Sequence, residues 1–224
     1  MSNTRMRTTF RPGTRARRYV NAALAATVLF LLAPFAQADA TADLVKRLTS
    51  VQSMSCDFEQ LVLDRGGSRL QQASGEMLVA RPRQFYWHAD QPYEQVVVSD
   101  GDVVWIYDVD LEQVIERALG DEVGNTPALL FSGNPDEVAA EFHIEESDRH
   151  RGAVTYRLRP RGEGQLFEML EVTFAGNQPQ GMRLEDALGQ QTTIEFSNVR
   201  MNQSIDPARF RFEIPDGADV ISEL

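Results

Sequence analysis

Cysteine is nearly absent from the chain, and the motifs of several enzyme classes are missing. Cys56 is the only cysteine, so no disulfide can form within the chain, and its place in a predicted strand favours a buried thiol over a reactive one. There is no Gly-x-Ser-x-Gly elbow, His-Glu-x-x-His, Cys-x-x-Cys, phosphate-binding loop or dinucleotide fingerprint. We therefore predict no catalytic residues, no cofactor and no enzymatic activity.

Histidine is also scarce, with three in 224 residues. His143, Glu145 and His150 could meet across a hairpin as metal ligands, but such a set at arbitrary strand spacing is common by chance. The Asp-Val-Asp-Leu-Glu run at residues 108–112 is weakly similar to a calcium loop. Gln113 occupies the position that requires glycine, so a hairpin turn is the preferred interpretation and no metal site is predicted.

Basic residues are too few to balance the acidic ones, with 22 Lys and Arg against 33 Asp and Glu and a formal charge of -11. The first 38 residues hold six of the arginines and no acid, so their removal leaves 16 basic residues against 33 acidic ones, a charge of -17. This field disfavours nucleic acid and anionic lipid surfaces and steers the protein towards basic patches on partners. Solubility alone is an equally good explanation.

The N-terminus has the organisation of a cleaved signal peptide. Six arginines precede an apolar run at residues 20–35, and Ala36-Gln37-Ala38 is a small-x-small cleavage site. A membrane anchor is the alternative, but the run contains Asn21 and Pro34 and is shorter than the roughly twenty apolar residues of a spanning helix. We predict that residues 1–38 are removed and that residues 39–224 form one exported, soluble domain.

Turn signals every eight to twelve residues or so predict an antiparallel meander of about eleven strands. Residues 75–108 are the most informative block, because large aromatic and β-branched residues alternate there with polar ones. Read with period two, they can share one wide apolar face. The residues that we assign to this face are Met77, Val79, Phe85, Trp87, Val96, Val98, Val103, Trp105 and Tyr107.

Three short helices interrupt the strands in this reading. The first, near residues 41–51, starts at Thr41 and places Leu44 and Leu48 on one stripe. The second starts at Thr126-Pro127, contains Leu129, Leu130 and Phe131, and ends at Gly133; the third starts at Asn134-Pro135, with Glu137 completing a capping box. All three are too short to form a scaffold, so we interpret them as a cover.

The strand count leaves two architectures open. About eleven strands at ~4.8 Å spacing make a sheet some 50 Å wide, which must curl strongly and would enclose a hollow that short helices could cover. A flattened sandwich closed on itself would have no hollow and would need no lid. The number of strands does not distinguish between them.

An ordered set of short motifs resembles the LolA family of periplasmic outer-membrane lipoprotein carriers. The motifs, each weak alone, run through nearly all of residues 39–224: Arg81-Pro82-x-x-Phe85-x-Trp87, Gln91-Pro92, Ser99-Asp100-Gly101-x-x-x-Trp105-x-Tyr107, Gly124-Asn125-Thr126-Pro127 and Asp206-Pro207-Ala208-x-Phe210-x-Phe212. The resemblance implies a mainly β fold, an incomplete and strongly curved antiparallel β-barrel with short helices forming a lid over an apolar cavity.

The resemblance also implies a function, partners and site residues. The expected protein is a periplasmic, monomeric chaperone that accepts acylated lipoproteins from an inner-membrane ATP-driven releasing complex and delivers them to an outer-membrane receptor. A lipid- or lipoprotein-sensing regulatory domain of the same fold is the alternative. Arg81 would latch the lid through carbonyls of residues 126–133. The expected cavity residues are Met77, Phe85, Trp87, Val98, Trp105 and Tyr107, and the expected lid residues are Leu44, Leu48, Leu129, Leu130 and Phe131.

Overall fold

The computed structural model describes residues 33–119, 129–162 and 167–224, with side chains from residue 40 onwards. Twelve strands form one sheet in these ranges. The strands are β1 Ser53–Leu63, β2 Arg69–Ala80, β3 Gln84–Gln91, β4 Gln95–Ser99, β5 Val103–Asp108, β6 Gln113–Ala118, β7 Phe142–His150, β8 Ala153–Pro160, β9 Met169–Ala175, β10 Gln178–Glu185, β11 Gln191–Met201 and β12 Asp219–Glu223.

The order of strands across the sheet is β12-β6-β5-β4-β3-β2-β1-β11-β10-β9-β8-β7. Every neighbouring pair is antiparallel except β12 and β6, which are parallel. In the described part of the chain the two edge strands, β7 and β12, do not pair with each other, so the sheet stays open. Buried residues from both halves of the sheet nevertheless belong to one core, which means that the sheet curls around a single interior. The predicted incomplete, curved barrel is thus the architecture observed.

The helices differ from the prediction at their ends. Helix α1 spans Ala33–Thr49, so it begins before Thr41, which lies inside it. Helix α2 spans Leu129–Ser132, while its predicted start at Thr126 and Pro127 lies outside the described residues. Helix α3 spans Pro135–Glu141. The Asn134 side chain accepts from the Asp136 backbone N–H at 3.0 Å and donates to Glu137 at 3.2 Å, which confirms the predicted cap.

The C-terminal part contains the clearest local departure from expectation. The apolar alternation of Phe210, Phe212 and Ile214 predicts a strand at residues 210–214, but the chain there forms a 3-10 helix, Pro207–Phe210, followed by extended chain. Asp206 caps this helix by accepting from the Ala208 backbone N–H at 2.9 Å, and Pro207 suits the first helical position. These two residues start a helical turn where apolar alternation suggested a strand. The predicted cleavage site lies at the start of α1, and removal of residues 1–38 stays a prediction.

Candidate functional site

Three of the six predicted cavity residues face the interior. Met77 on β2 is paired with Trp87 on β3, and Val79 with Phe85, so these four side chains share one face of the sheet. Met77 and Phe85 are each 1% exposed. Trp87 is partly buried and stacks on Phe58, with ring centroids 3.7 Å apart. The inner face is therefore an aromatic, apolar wall, as predicted for these strands.

The prediction that Val98, Trp105 and Tyr107 share that face is wrong. Trp87 is paired with Val97, and Val97 with Ile106, so the inner face continues through Val97 and Ile106. Side chains alternate between the two faces of a strand. Val98, Trp105 and Tyr107 therefore lie on the outer face, and so do Val96 and Val103 by the same alternation.

The outer face of these strands has its own apolar layer. Val98 and Val114 are buried there, although the surface faces away from the interior. The chain after the 3-10 helix covers it, because the Phe212 ring lies 6.3 Å from that of Trp105 and 5.9 Å from that of Tyr107. The Asp-Pro-Ala-x-Phe-x-Phe motif of the sequence thus forms a strap across the outer face, which period-two reasoning did not detect.

The predicted lid residues come together inside the curl. Leu44 and Leu48 from α1, and Leu129, Leu130 and Phe131 from α2, are at most 2% exposed and belong to the same core as the inner wall. The Phe131 ring contacts those of Phe174 and Phe196 at centroid distances of 6.5 and 5.9 Å. The lid side chains thus do more than cover the mouth of the barrel: they fill part of its interior.

Arg81 connects both parts of the lid to the end of β2. Its Nε donates to the Val51 carbonyl at 2.8 Å, one Nη donates to the Leu48 carbonyl at 2.9 Å, and the other Nη donates to the Gly133 carbonyl. No carboxylate is paired with it among the described residues, and burial lowers the pKa of its guanidinium. The predicted carbonyl acceptor at residues 126–133 is therefore present; of the two further acceptors, Leu48 belongs to α1 and Val51 lies just after it.

Arg83 adds a second connection to α2. Its backbone N–H donates to the Ser132 carbonyl at 2.8 Å, and its side chain donates to the Leu119 carbonyl at 3.1 Å. Its backbone φ is 57°, in the left-handed region that non-glycine residues seldom occupy. The turn after Arg81 thus allows the Arg83 backbone N–H and the Arg81 guanidinium to donate to two consecutive carbonyls of the lid, those of Ser132 and Gly133.

A polar network that the sequence did not reveal lies at the other side of α1. The Tyr156 hydroxyl donates to the Asp43 carboxylate, and Arg47 Nε donates to that hydroxyl at 2.8 Å. Burial, followed by this bond to Asp43, raises the pKa of Tyr156 to about 12. The same bond is the largest cause of the lowered pKa of Asp43. Tyr156 is fully buried on β8, so α1 is bonded to the half of the sheet opposite Arg81.

Three further observations concern metal ligands, hollows and helix length among the described residues. No group of three or more His, Cys, Asp or Glu side chains in these ranges could hold a metal ion, and Glu145 pairs with Arg157 and Arg159. A hollow of about 630 Å³ is lined by residues of β7 to β11. Its lining is mixed, with the polar Arg157, Glu171 and Thr173 beside Met182, Ile194 and Phe196 of the core. None of the described helices is both long and apolar enough to span a membrane.

Comparison with known proteins gives one consistent family. Residues 49–213 match the model of the family described as outer membrane lipoprotein carrier protein LolA. The chain belongs to the LolA family. An outer-membrane lipoprotein carrier protein of Alcanivorax borkumensis is 50% identical over 89% of this chain and 96% of its own length. Carriers of the same name from Chromohalobacter salexigens and Azotobacter vinelandii are 46% and 43% identical, over 90% and 89% of this chain and 95% and 97% of their own.

The part of the chain that matches the LolA family includes most of the elements that build the site. The matched residues include all strands from β1 to β11, helices α2 and α3, and the strap. They also include Arg81, Arg83, Phe131 and Tyr156. The carrier names of these three relatives do not favour the regulatory alternative.

Proposed function

We propose that this LolA-family protein is a periplasmic carrier that receives acylated lipoproteins and shields their acyl chains between the inner wall and the lid. The observation that carries the proposal is the shared core of wall and lid, in which Phe131 packs against Phe174 and Phe196. The lid is joined to the wall by apolar contacts and a few hydrogen bonds. Both kinds of contact can be exchanged for contacts with an acyl chain without covalent chemistry.

The energetics favour loading and also allow release. Burying an acyl chain yields about 0.8 kcal/mol per methylene group, so even partial burial of one chain gives several kcal/mol. Some of this energy is used to displace buried lid residues such as Leu130 and Phe131. The carrier therefore holds its cargo less tightly than the buried area alone implies, which onward transfer requires.

Arg81 is the proposed latch of the unloaded state. Its bonds to the Leu48, Val51 and Gly133 carbonyls hold α1 and the α2–α3 junction at one place. Each bond contributes roughly 1 to 3 kcal/mol net, because the donor is charged and water competes for the carbonyls. When acyl chains displace the lid, the bond to Gly133 breaks, and its re-formation favours release.

The proposed partners are those that the resemblance to lipoprotein carriers implies. The cargo is delivered by an inner-membrane ATP-driven releasing complex and is passed to an outer-membrane lipoprotein receptor, and the carrier acts as a monomer after removal of residues 1–38. Sequencing of the mature N-terminus tests the processing step. Asp39 as first residue of soluble periplasmic protein is expected, and an intact Met1 in the membrane fraction would contradict it.

The binding step is tested with a synthetic triacylated lipopeptide and the same peptide without acyl chains. The acylated peptide should bind the purified carrier at about micromolar concentration or below, and the unacylated peptide should not bind. Native mass spectrometry of carrier isolated from its own periplasm should show a lipoprotein in the complex. Equal binding of the two peptides, or of neither, would refute the proposed function.

A further inference from the structure

Helix α1 is attached to the sheet independently of Arg81. Arg47 Nε donates to the Tyr156 hydroxyl at 2.8 Å, and Arg47 Nη2 donates to the Asp43 carboxylate at 3.0 Å. The other Nη donates to the carbonyl of Gly176, in the turn between β9 and β10. Tyr156 closes the network by donating to Asp43. Two residues of α1 are thus bonded to two separate elements of the sheet.

This attachment is packed as well as hydrogen-bonded. The Arg47 guanidinium lies over the rings of Tyr156 and Phe174, at 5.8 and 6.0 Å from their centroids. The Tyr156 and Phe174 rings meet edge to face at 6.3 Å, and both side chains are fully buried. A polar network with such surroundings holds its members in one geometry, in contrast to an exposed ion pair.

Among the described residues of α2 and α3, those at 129–140 have no comparable side-chain attachment to the sheet. Between residues 129 and 140 no described side chain makes a hydrogen bond to the sheet. The polar links of this segment to the rest of the fold include the Arg81 and Arg83 bonds at Gly133 and Ser132, and the bond from the Arg161 backbone N–H to the Glu141 carbonyl at 2.8 Å. The last of these lies where α3 continues into β7, so it can act as a hinge. Leu129, Leu130 and Phe131 of α2 pack in the apolar core.

We infer that Asp43, Arg47 and Tyr156 are positioning residues that keep α1 as a fixed wall of the acyl-chain site, so that α2–α3 alone is the moving lid. This inference deepens the proposed function. Acyl chains then enter between α2–α3 and the sheet, where Phe131 leaves Phe174 and Phe196. Leu44 and Leu48 stay in place and contact the chains.

Amide hydrogen exchange of two variants separates the two attachments. Tyr156→Phe removes one hydroxyl and should speed exchange in residues 42–48 about tenfold, the effect of losing about one net hydrogen bond to a charged group. Exchange in residues 129–141 should be unchanged. Arg81→Leu should give the opposite pattern, with faster exchange in residues 129–141. This variant also loses the bonds to the Leu48 and Val51 carbonyls at the end of α1, but the Tyr156 network should keep the amides of residues 42–48 protected. The β8–β9 ladder is the internal reference for global stability.

Loading with the triacylated lipopeptide is the third arm of the experiment. In the wild-type protein it should speed exchange in residues 129–141 and leave residues 42–48 protected. Deprotection of both segments to the same extent, on loading or in Arg81→Leu, would overturn the inference. Asp43→Asn serves as the second variant if Tyr156→Phe does not fold. If the wild-type protein binds no lipopeptide, the proposed function fails, while the two variants still decide which helix the network holds.

Discussion

Replacement of Phe131 by alanine tests whether the lid competes with cargo for the same space. Phe131 is fully buried, and its ring contacts Phe174 and Phe196 on the inner wall. Truncating a buried phenylalanine to alanine costs about 3–5 kcal/mol. Because Phe131 belongs to α2, this loss falls mainly on the closed position of the lid.

The expected result is tighter binding of an acyl probe in a less stable protein. A loss of about 3 kcal/mol in lid closure raises the open fraction on the order of 100-fold, and a ligand that binds only the open state gains affinity by the same factor. The vacated volume also accepts part of the chain. A fluorescent fatty-acyl probe should therefore show a Kd about 100-fold lower for Phe131→Ala than for the wild type.

Phe210→Ala is the matched control. Phe210 is 2% exposed, but it belongs to the strap on the outer face and not to the inner core. Its truncation should lower the free energy of unfolding by a similar amount and leave the probe Kd within about threefold. An unchanged Kd in folded Phe131→Ala, or an equal gain in Phe210→Ala, would refute the competition between lid and cargo.

Three further predictions concern single residues. In a transfer assay, Arg81→Leu should load lipopeptide like the parent protein but release it to the receptor more slowly. Arg159→Leu, which loses only an exposed ion pair with Glu145, is the control and should behave like the parent. The pKa of Asp43 is lowered on folding, chiefly by the Tyr156 hydroxyl. The ionised Asp43 therefore stabilises the fold at pH values above its ordinary pKa, and this contribution is lost as the pH falls through the lowered pKa. The difference in unfolding free energy between wild type and Asp43→Asn should accordingly shrink between neutral pH and about pH 3. Burial raises the pKa of the Cys56 thiol to about 12, so a thiol reagent at about pH 8 should label Cys56 only in denaturant. Rapid labelling of Cys56 in the folded protein would show that the inner wall is open to water.

Local signals in the sequence were enough to predict several elements. The Asn134-Pro135 cap depends on one side chain and one backbone N–H two residues away, so the third helix began where it was expected. The carbonyl acceptor of Arg81 at Gly133 was expected from the resemblance to the LolA family and not from a local signal. The alternation in β2 and β3 was strong enough to assign Met77 and Phe85 to the inner face.

Other features depended on contacts between distant parts of the chain. In β4 and β5 the residues on both faces are apolar, so period two fits either assignment, and only the pairing of Trp87 with Val97 decides that Val98 faces outwards. The apolar outer face is possible because the strap brings Phe212 onto it. The network of Tyr156 spans 113 residues in sequence to Asp43.

The sequence by itself determined where the chain turns, that α3 begins after Asn134 and that one face of the sheet is apolar, because these depend on neighbouring residues. Only the tertiary structure decided which face a strand of continuous apolar residues turns inwards, since that depends on hydrogen-bond register with its neighbours. It also decided that α1 is bonded to both halves of the sheet, through Arg81 on one side and Tyr156 on the other. Folding brings these donors and acceptors together from distant parts of the chain, so no local sequence pattern predicts the hydrogen bonds between them.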